Sequence, residues 1–481
     1  MQLALWVALA LLLSLICSRR LLLPVSVVLL TTLLVPVVAS GVIVGGGLPG
    51  LAGMYPSTYF IMVLAGSQVL LRLREYVADL AQSVPLVLAL VLFIGAALVF
   101  TYFTTRIAGL SFVLNQIVAP VLLFAVIRRA LADDPRAGRS LALVVVAGGA
   151  YESVVSILVW SGTIPQPFAA SYENYYWFTE EFTRALGTTD HPLVLSVLLV
   201  AAVALLITVK NSALRTGLAV LFLVAIVLTQ SRTGLLLSLV ALGFLLLRSR
   251  SSLQARLVLL LGLLVAGGIY TNSALTEGIS EKFVDDGGSG AVRGIAIEYV
   301  FSRFQDYAVL GLGPGSASRF ATEAGLGTSL ENPLLIYSIE YGAAFALIYF
   351  GAQFLLPLMA RRSARSVPGA RLCALLVLIA VQTFSSVSTS NSLGVVVWAL
   401  LAIASPPLTT VEPAPRTAER RVARTHRPPG SVWSPPAAVR IRPSPSHSAG
   451  RRSALPAKTP LEPRQGAPDL HEIAPTEPDE R

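Results

Sequence analysis

Four arginines stand in stretches of the chain that are otherwise poor in charge. Arg184 lies in RALGTTDHP, Arg232 in TQSRTG, Arg293 in VRGIAIEYV and Arg319 in SASRF. The guanidinium is a planar fork that binds two phosphate oxygens at once, which an ammonium cannot do. Arg184, Arg232 and Arg293 converging on one anionic group would hold a phosphate or pyrophosphate and stabilise charge growing on it without a metal ion. Glu331 and Asn332 come just before Pro333, and Glu340 follows within the same apolar stretch. Glu331 is a candidate general base, although a carboxylate at a helix start also suits the macrodipole. Asn332 before a proline reads equally as a helix N-cap. Glu340 is an acid inside an apolar helix, which is costly and marks a functional candidate, or else a pairing that holds the helices together. His191 is the only histidine before His426 and either contributes to this chemistry or caps the helix that Pro192 opens.

Apolar helices must position these side chains. The 481-residue chain has a mean hydropathy of +0.72 and only 13% charged residues. Runs of about 17 to 25 apolar residues recur along it, the helix length that spans a bilayer. Backbone polar groups pair internally in hydrocarbon, so such runs are helices or a closed barrel. They are continuous and rich in Leu and Val without strict alternation, which excludes the barrel. The expected fold is an all-α polytopic membrane protein with about 12–13 transmembrane helices. Candidate spans are read at 2–18, 21–44, 57–71, 84–103, 110–127, 140–160, 192–209, 216–230, 233–247, 257–271, 333–358, 372–386 and 392–405. The first has no positive n-region, and Arg19-Arg20 follow it in place of a cleavage site, so it is read as a helix and not a signal peptide.

The run from Thr216 to Leu247 contains one charge, Arg232. As a single helix it would be about 48 Å long at 1.5 Å per residue, against a hydrocarbon core of about 30 Å. Two spans meeting at a tight turn fit better, with TQSRTG at the tip. There Arg232 reaches the interface instead of the mid-membrane, where it would cost roughly 3 kcal/mol. It is either a snorkelling residue on a helix hairpin or a cation placed to receive a phosphate.

Charge orients the spans. Arg19, Arg20, Arg72, Arg74, Arg128, Arg129, Arg136, Arg139, Lys210, Arg215, Arg248, Arg250, Arg256, Arg361, Arg362, Arg365 and Arg371 fall in alternate short connections. Arg106, Arg184, Arg232, Lys282, Arg293, Arg303 and Arg319 are spread over the longer loops of the other face. The positive-inside rule makes the first set cytoplasmic, with the N-terminus outside and the C-terminal tail inside. The protein is therefore expected in the inner (plasma) membrane as a multi-pass protein. Cys17 and Cys373 fall in spans, with no disulfide or metal pattern. The net charge of +10 resides mostly in inner loops and tail, so no nucleic-acid partner is inferred.

Two regions follow. Residues 1–405 form the helical domain, including outer loops 161–191 and 272–332, and residues 406–481 form a Pro- and Arg-rich tail that lacks apolar runs and is read as disordered, solvated or touching anionic lipid heads. VRGIAIEYVFSRFQD, 292–306, has the spacing of an amphipathic helix, ended by GLGPG at 311–315. Arg303 and Arg319 are read as facing water or lipid heads. Tyr172, Tyr175, Tyr176, Trp177 and Phe178 would stack on sugar rings or form an interfacial belt. Glu277, Glu281, Asp285 and Asp286 fit no calcium loop, so no metal site is expected. Glu152 lies within a span and is read as structural.

Four segments together resemble the O-antigen ligase and Wzy-type polymerase family of bacterial membrane glycosyltransferases. RALGTTDHP (184–192) resembles the family's Arg, Gly-Thr and Asn/His-Pro stretch, and TQSRTGLLLSLVAL (229–242) its Ser-Arg-Ser/Thr-Gly helix start. Arg293 followed by LGLGPGSASRF (310–320) resembles its Arg and glycine-rich pattern, which brings Arg319 into the candidate set. ENPLLIYSIEYG (331–342) resembles its His-Asn and Glu-x-Gly segment, with Glu331 where the family has His. The resemblance covers about 160 residues in family order and leaves the tail outside.

The resemblance implies a GT-C-like fold and glycan transfer from undecaprenyl pyrophosphate at the outer face of the inner membrane. Its implied partners are a lipid-linked oligosaccharide donor, a glycan or lipid acceptor and the membrane lipids, with no cofactor. Arg232 and Arg293 would hold pyrophosphate with Arg184 assisting, and Glu331, or His191 in its place, would serve the acceptor hydroxyl. Asn332, Glu340 and Arg319 complete the implied substrate-binding set. A transporter or flippase of a lipid-linked glycan is the competing reading. It would place ionisable residues near the midplane at broken repeats, whereas these arginines gather at the outer ends.

Overall fold

Proline in the first helical turn sets several helix starts, because its missing N–H is one that an N-terminus leaves unpaired in any case. Pro56, Pro192 and Pro333 all occupy such positions. The computed structural model describes residues 1–45, 53–106, 109–173, 175, 178, 184–248, 286–325, 330–359, 366–389 and 391–405, with backbone alone over 286–293. The expected span at 257–271, Tyr176, Trp177, Glu277, Glu281, Asp285 and the tail lie outside these residues, as does the side chain of Asp286.

The described chain is all-helical, with 78% helix and no strand. In order come α1 (Gln2–Ile16), α2 (Leu22–Leu34), a 3-10 turn (Val37–Ala39), α3 (Ser40–Val44), α4 (Pro56–Ala81) and α5 (Val84–Thr104). Then follow α6 (Leu110–Asp133, with a π turn at Leu114–Val118), α7 (Ala137–Trp160), α8 (Pro192–Leu205), α9 (Ser212–Leu228) and α10 (Arg232–Arg248). The remainder is α11 (Asp286–Ser302), α12 (Ser316–Glu323), α13 (Pro333–Tyr341), α14 (Ala343–Met359), α15 (Ala370–Val381) and α16 (Leu393–Ala404).

Two helices form the centre. Every residue of α8 from Val194 onward is buried, as is all of α16. Both are apolar all round, the pattern of a helix enclosed on every side. Helices α7, α9, α10 and α15 surround α8, and α16 lies against α6 and α15. The outer helices do the reverse. On α5, Val91 is 60% exposed and Phe103 79%, an apolar surface of a kind that soluble proteins avoid. Among the described residues, three helices, α5, α6 and α7, are long and apolar enough to cross a membrane, or four if α2 and the bent segment after it form one span. Another six, including α1, α9 and α14, are apolar but shorter.

Several expected spans differ from the helices found, for local reasons. The span at 21–44 breaks at Pro36, whose extended ψ of 151° cannot continue α2, and the two halves meet at 99°. The span at 333–358 divides at Gly342, which has φ +101°. The span at 57–71 continues to Ala81 through a non-helical Arg72, φ −135°. Arg72 sits at a crossing of charges: it bonds Asp133 at 2.6 Å and Glu75 at 3.1 Å, while Arg129 bonds Asp133 at 2.6 Å and Asp79 at 3.3 Å.

The helix ends separate by chemistry. At one end, here the basic end, lie that network, Arg139 donating to the Thr208 carbonyl at 2.6 Å and Arg371 donating to the Pro357 carbonyl at 2.8 Å. The opposite end, the loop end, carries RALGTTDHP, the turn between α9 and α10, and the start of α13.

Candidate functional site

The RALGTTDHP segment is tied down along its whole length. Arg184 Nε donates to the Thr229 carbonyl at 3.0 Å, and the Ala185 N–H to the Leu228 carbonyl at 2.9 Å. This sets a cation at the C-terminal end of α9, where unpaired carbonyls accumulate. Burial lowers Arg184 to about 10. Gly187 is left-handed at φ +59° and passes so close to Glu152 that a Cβ would sit 2.3 Å from its Oε2. Thr188 then donates its N–H to Glu152 Oε2 at 2.7 Å and its hydroxyl to Oε1. Gln166 donates to the Gly187 carbonyl at 2.7 Å, and the fully buried Tyr172 to that of Thr189 at 2.8 Å. Tyr172 is thus a strut, and among the aromatic cluster Phe178 packs on it at 5.3 Å.

His191 is the N-cap of α8: its Nδ1 accepts the Leu193 N–H at 3.2 Å. An accepting Nδ1 places the proton of the neutral ring on Nε2. Burial, then the charge of Arg184, lowers His191 to about 4. Asp190, beside it, is 6% exposed. It accepts the Val37 N–H at the break after α2, and the Val38 and Ser392 N–H groups also favour its charged form. Burial outweighs these and raises Asp190 to about 7. One carboxyl therefore joins the 3-10 turn after α2 to the start of α8.

Arg232 opens α10. Gln230, at φ +53°, turns the chain between α9 and α10. Ser231 caps the new helix: its Oγ accepts the Gly234 N–H at 3.1 Å and the Ser196 hydroxyl at 3.1 Å. Gly234 lets α10 close on α8, since a Cβ there would meet Ser196 Cβ at 2.7 Å. Half-buried Arg232 thus projects from a helix N-terminus, whose N–H groups and dipole favour an anion. Arg184 is bonded to the turn from which Arg232 emerges, and Ser196 links that turn to the helix His191 caps. These three predicted residues share one end of the fold and one connected set of bonds.

Glu331, Asn332 and Glu340 form a second group on and beside α13, with Arg319 on α12, which packs against it. Asn332 caps α13, with Oδ1 accepting the Leu335 N–H at 3.0 Å and Nδ2 donating to the Gln382 carbonyl at 3.0 Å. Glu331, just outside the cap, is exposed. Glu340 is buried, and its Oε1 accepts the Gly315 N–H at 2.8 Å. The Leu312 and Gly313 N–H groups donate to the Ile339 and Glu340 carbonyls at 2.7 and 2.9 Å, so GLGPG docks on the end of α13. Arg319 is 66% exposed on α12 and pairs with Glu323 at 3.8 Å. Arg303 pairs with Asp306 and Glu323 and stacks on Phe320 at 4.8 Å. The backbone of Arg293 lies in α11, and its side chain falls outside the described residues.

Asp190, Ser231, Ser196 and Thr188 are positioning residues that the sequence reading did not single out. Asp190 and Thr188 had a local signal, a run of Thr and Asp before a helix-opening proline. Ser196 had none, because its partner lies on another helix. Among the described residues no group of three metal-ligating side chains occurs. No protein-family model matches the chain, and no curated protein matches it.

Proposed function

We propose that the chain is a multi-pass glycosyltransferase of the O-antigen ligase or polymerase type in the inner membrane, joining a glycan from an undecaprenyl-pyrophosphate donor to an acceptor hydroxyl. The observation that carries this reading is that Arg184 is bonded to the turn from which Arg232 emerges, with His191 at the same end, in the segments and order of the resemblance.

The chemistry is an in-line substitution. The acceptor oxygen bonds to the anomeric carbon, the bond from that carbon to the pyrophosphate oxygen breaks, and the configuration inverts. Arg184 and Arg232, with the N-terminal dipole of α10, stabilise the charge that grows on the leaving pyrophosphate. Because His191 Nδ1 is used as the cap, Nε2 carries the proton and suits donation to a phosphate oxygen. Proton removal from the acceptor falls to Glu331, the exposed carboxylate outside the α13 cap.

The test uses proteoliposomes supplied with lipid-linked oligosaccharide. Wild type is expected to give a product ladder or a shifted acceptor band, and Arg232→Ala to lose it while still inserting. Product from Arg232→Ala at the wild-type level would overturn the pyrophosphate assignment. Glycolipid that changes leaflet with no covalent product would identify a transporter instead.

A further inference from the structure

At the basic end, α4 and α5 leave an apolar groove of about 320 Å³ floored by α6. Val69, Val87 and Leu122 represent its three walls. Its polar lining is confined to Tyr76, Asp79, Ser83 and Arg128, close to the turn that joins α4 to α5. Arg128 donates to Ser83 Oγ at 3.4 Å and lies 5.7 Å from the centre of the Phe124 ring. Asp79 is engaged by Arg129 at 3.3 Å. The Tyr76 hydroxyl is buried, lines the groove and has no hydrogen-bond partner among the described residues. A buried hydroxyl of this kind calls for an acceptor that the described residues do not supply.

We infer that this groove binds a glycerophospholipid of the leaflet at the basic end, one acyl chain along α4, α5 and α6 and its phosphate region on Arg128 and Tyr76. The apolar walls match hydrocarbon. The cation and the hydroxyl donor stand together at one end, as a phosphate or glycerol-ester oxygen requires. The basic residues gathered at this end attract the anionic lipids of a cytoplasmic leaflet. The inference rests on the membrane reading alone, and does not depend on glycan transfer.

The experiment is native mass spectrometry of the delipidated full-length chain in detergent, titrated with phosphatidylglycerol or with diacylglycerol of the same acyl chains. Phosphatidylglycerol is expected to be retained about tenfold more strongly, the worth of a charge-assisted bond. Arg128→Gln should remove most of that preference, and Tyr76→Phe, which keeps the packing, should weaken retention roughly threefold. Val87→Trp, filling the groove, should reduce both lipids, while Leu11→Trp on exposed α1 should change neither. Equal retention of the two lipids, or wild-type retention by both Tyr76→Phe and Val87→Trp, would overturn the site. Release of the chain from native membranes by alkaline carbonate would overturn the membrane reading itself.

Discussion

Asp190 and His191 are neighbours that titrate in opposite senses. Burial raises Asp190 from its ordinary 3.8 to about 7, so the folded chain holds that proton more tightly than the unfolded chain. Its contribution to stability is complete below about 3.8 and is lost as pH rises through about 7. His191 is lowered from 6.5 to about 4, so its contribution is complete above 6.5 and is lost as pH falls toward 4. Asp190→Asn should therefore gain in melting midpoint on wild type as pH rises through about 7. His191→Gln should gain as pH falls from about 6.5 to about 4. Differential scanning fluorimetry of the detergent-solubilised protein over this range measures both; a pH-independent difference for either variant contradicts its assignment. Arg184 gives a sharper substitution. Its Nε serves the Thr229 carbonyl, and the proposed function asks its terminal nitrogens to hold an anion. Lysine offers one charged tip for both tasks, so on the proposed function Arg184→Lys should fold but bind a lipid-pyrophosphate donor about tenfold less tightly.

At the scale of elements, the glycine-rich loop and the break between α13 and α14 form one joint. A Cβ on Gly342 would lie 2.3 Å from the Val309 carbonyl oxygen, on a residue whose φ is already +101°. Backbone strain of this kind costs roughly 1–3 kcal/mol, and the backbone clash adds to it. Gly342→Ala should lower the melting midpoint and expose 307–315 to limited proteolysis, and an unchanged digestion pattern would count against the joint. The joint also marks the limit of what the sequence disclosed. Helix starts were legible, because Pro192 and Pro333 with His191 and Asn332 before them obey local capping rules. The turn at TQSRTG was legible from length alone. The bond from Gly315 to Glu340 was not, since it joins residues 25 apart through packing that no local pattern encodes. The break at Gly342 stayed hidden because an apolar run on both sides of a glycine reads as one helix.

The described unit has two chemically distinct ends, and the orientation reading assigns each to one face of a membrane. Arg136 starts α7 at the basic end, and exposed Ser161 ends it at the loop end. With Cys17 and Cys373 replaced by serine, Ser161→Cys should react with an impermeant maleimide in intact cells, and Arg136→Cys only after lysis. The reverse pattern would invert the topology and move Arg184 and Arg232 to the cytoplasmic face. Every described residue belongs to the compact unit Met1–Val411. A chain ending at Val411 should keep the wild-type melting midpoint, and a marked fall would show that the tail braces the helices.

The strap over Glu152 has a consequence in the order of synthesis. A ribosome makes Glu152 36 residues before Thr188, and Val37 153 residues before the Asp190 that receives its N–H. On the membrane reading, the helix carrying Glu152 is delivered to the bilayer while its donors are still being translated, and the break after α2 waits longer still. Closure of RALGTTDHP is then a late step of assembly, and the nascent protein carries an unsatisfied acid until it happens. Loss of the Thr188 hydroxyl would be felt first as fewer chains surviving quality control, before any finished molecule met a substrate.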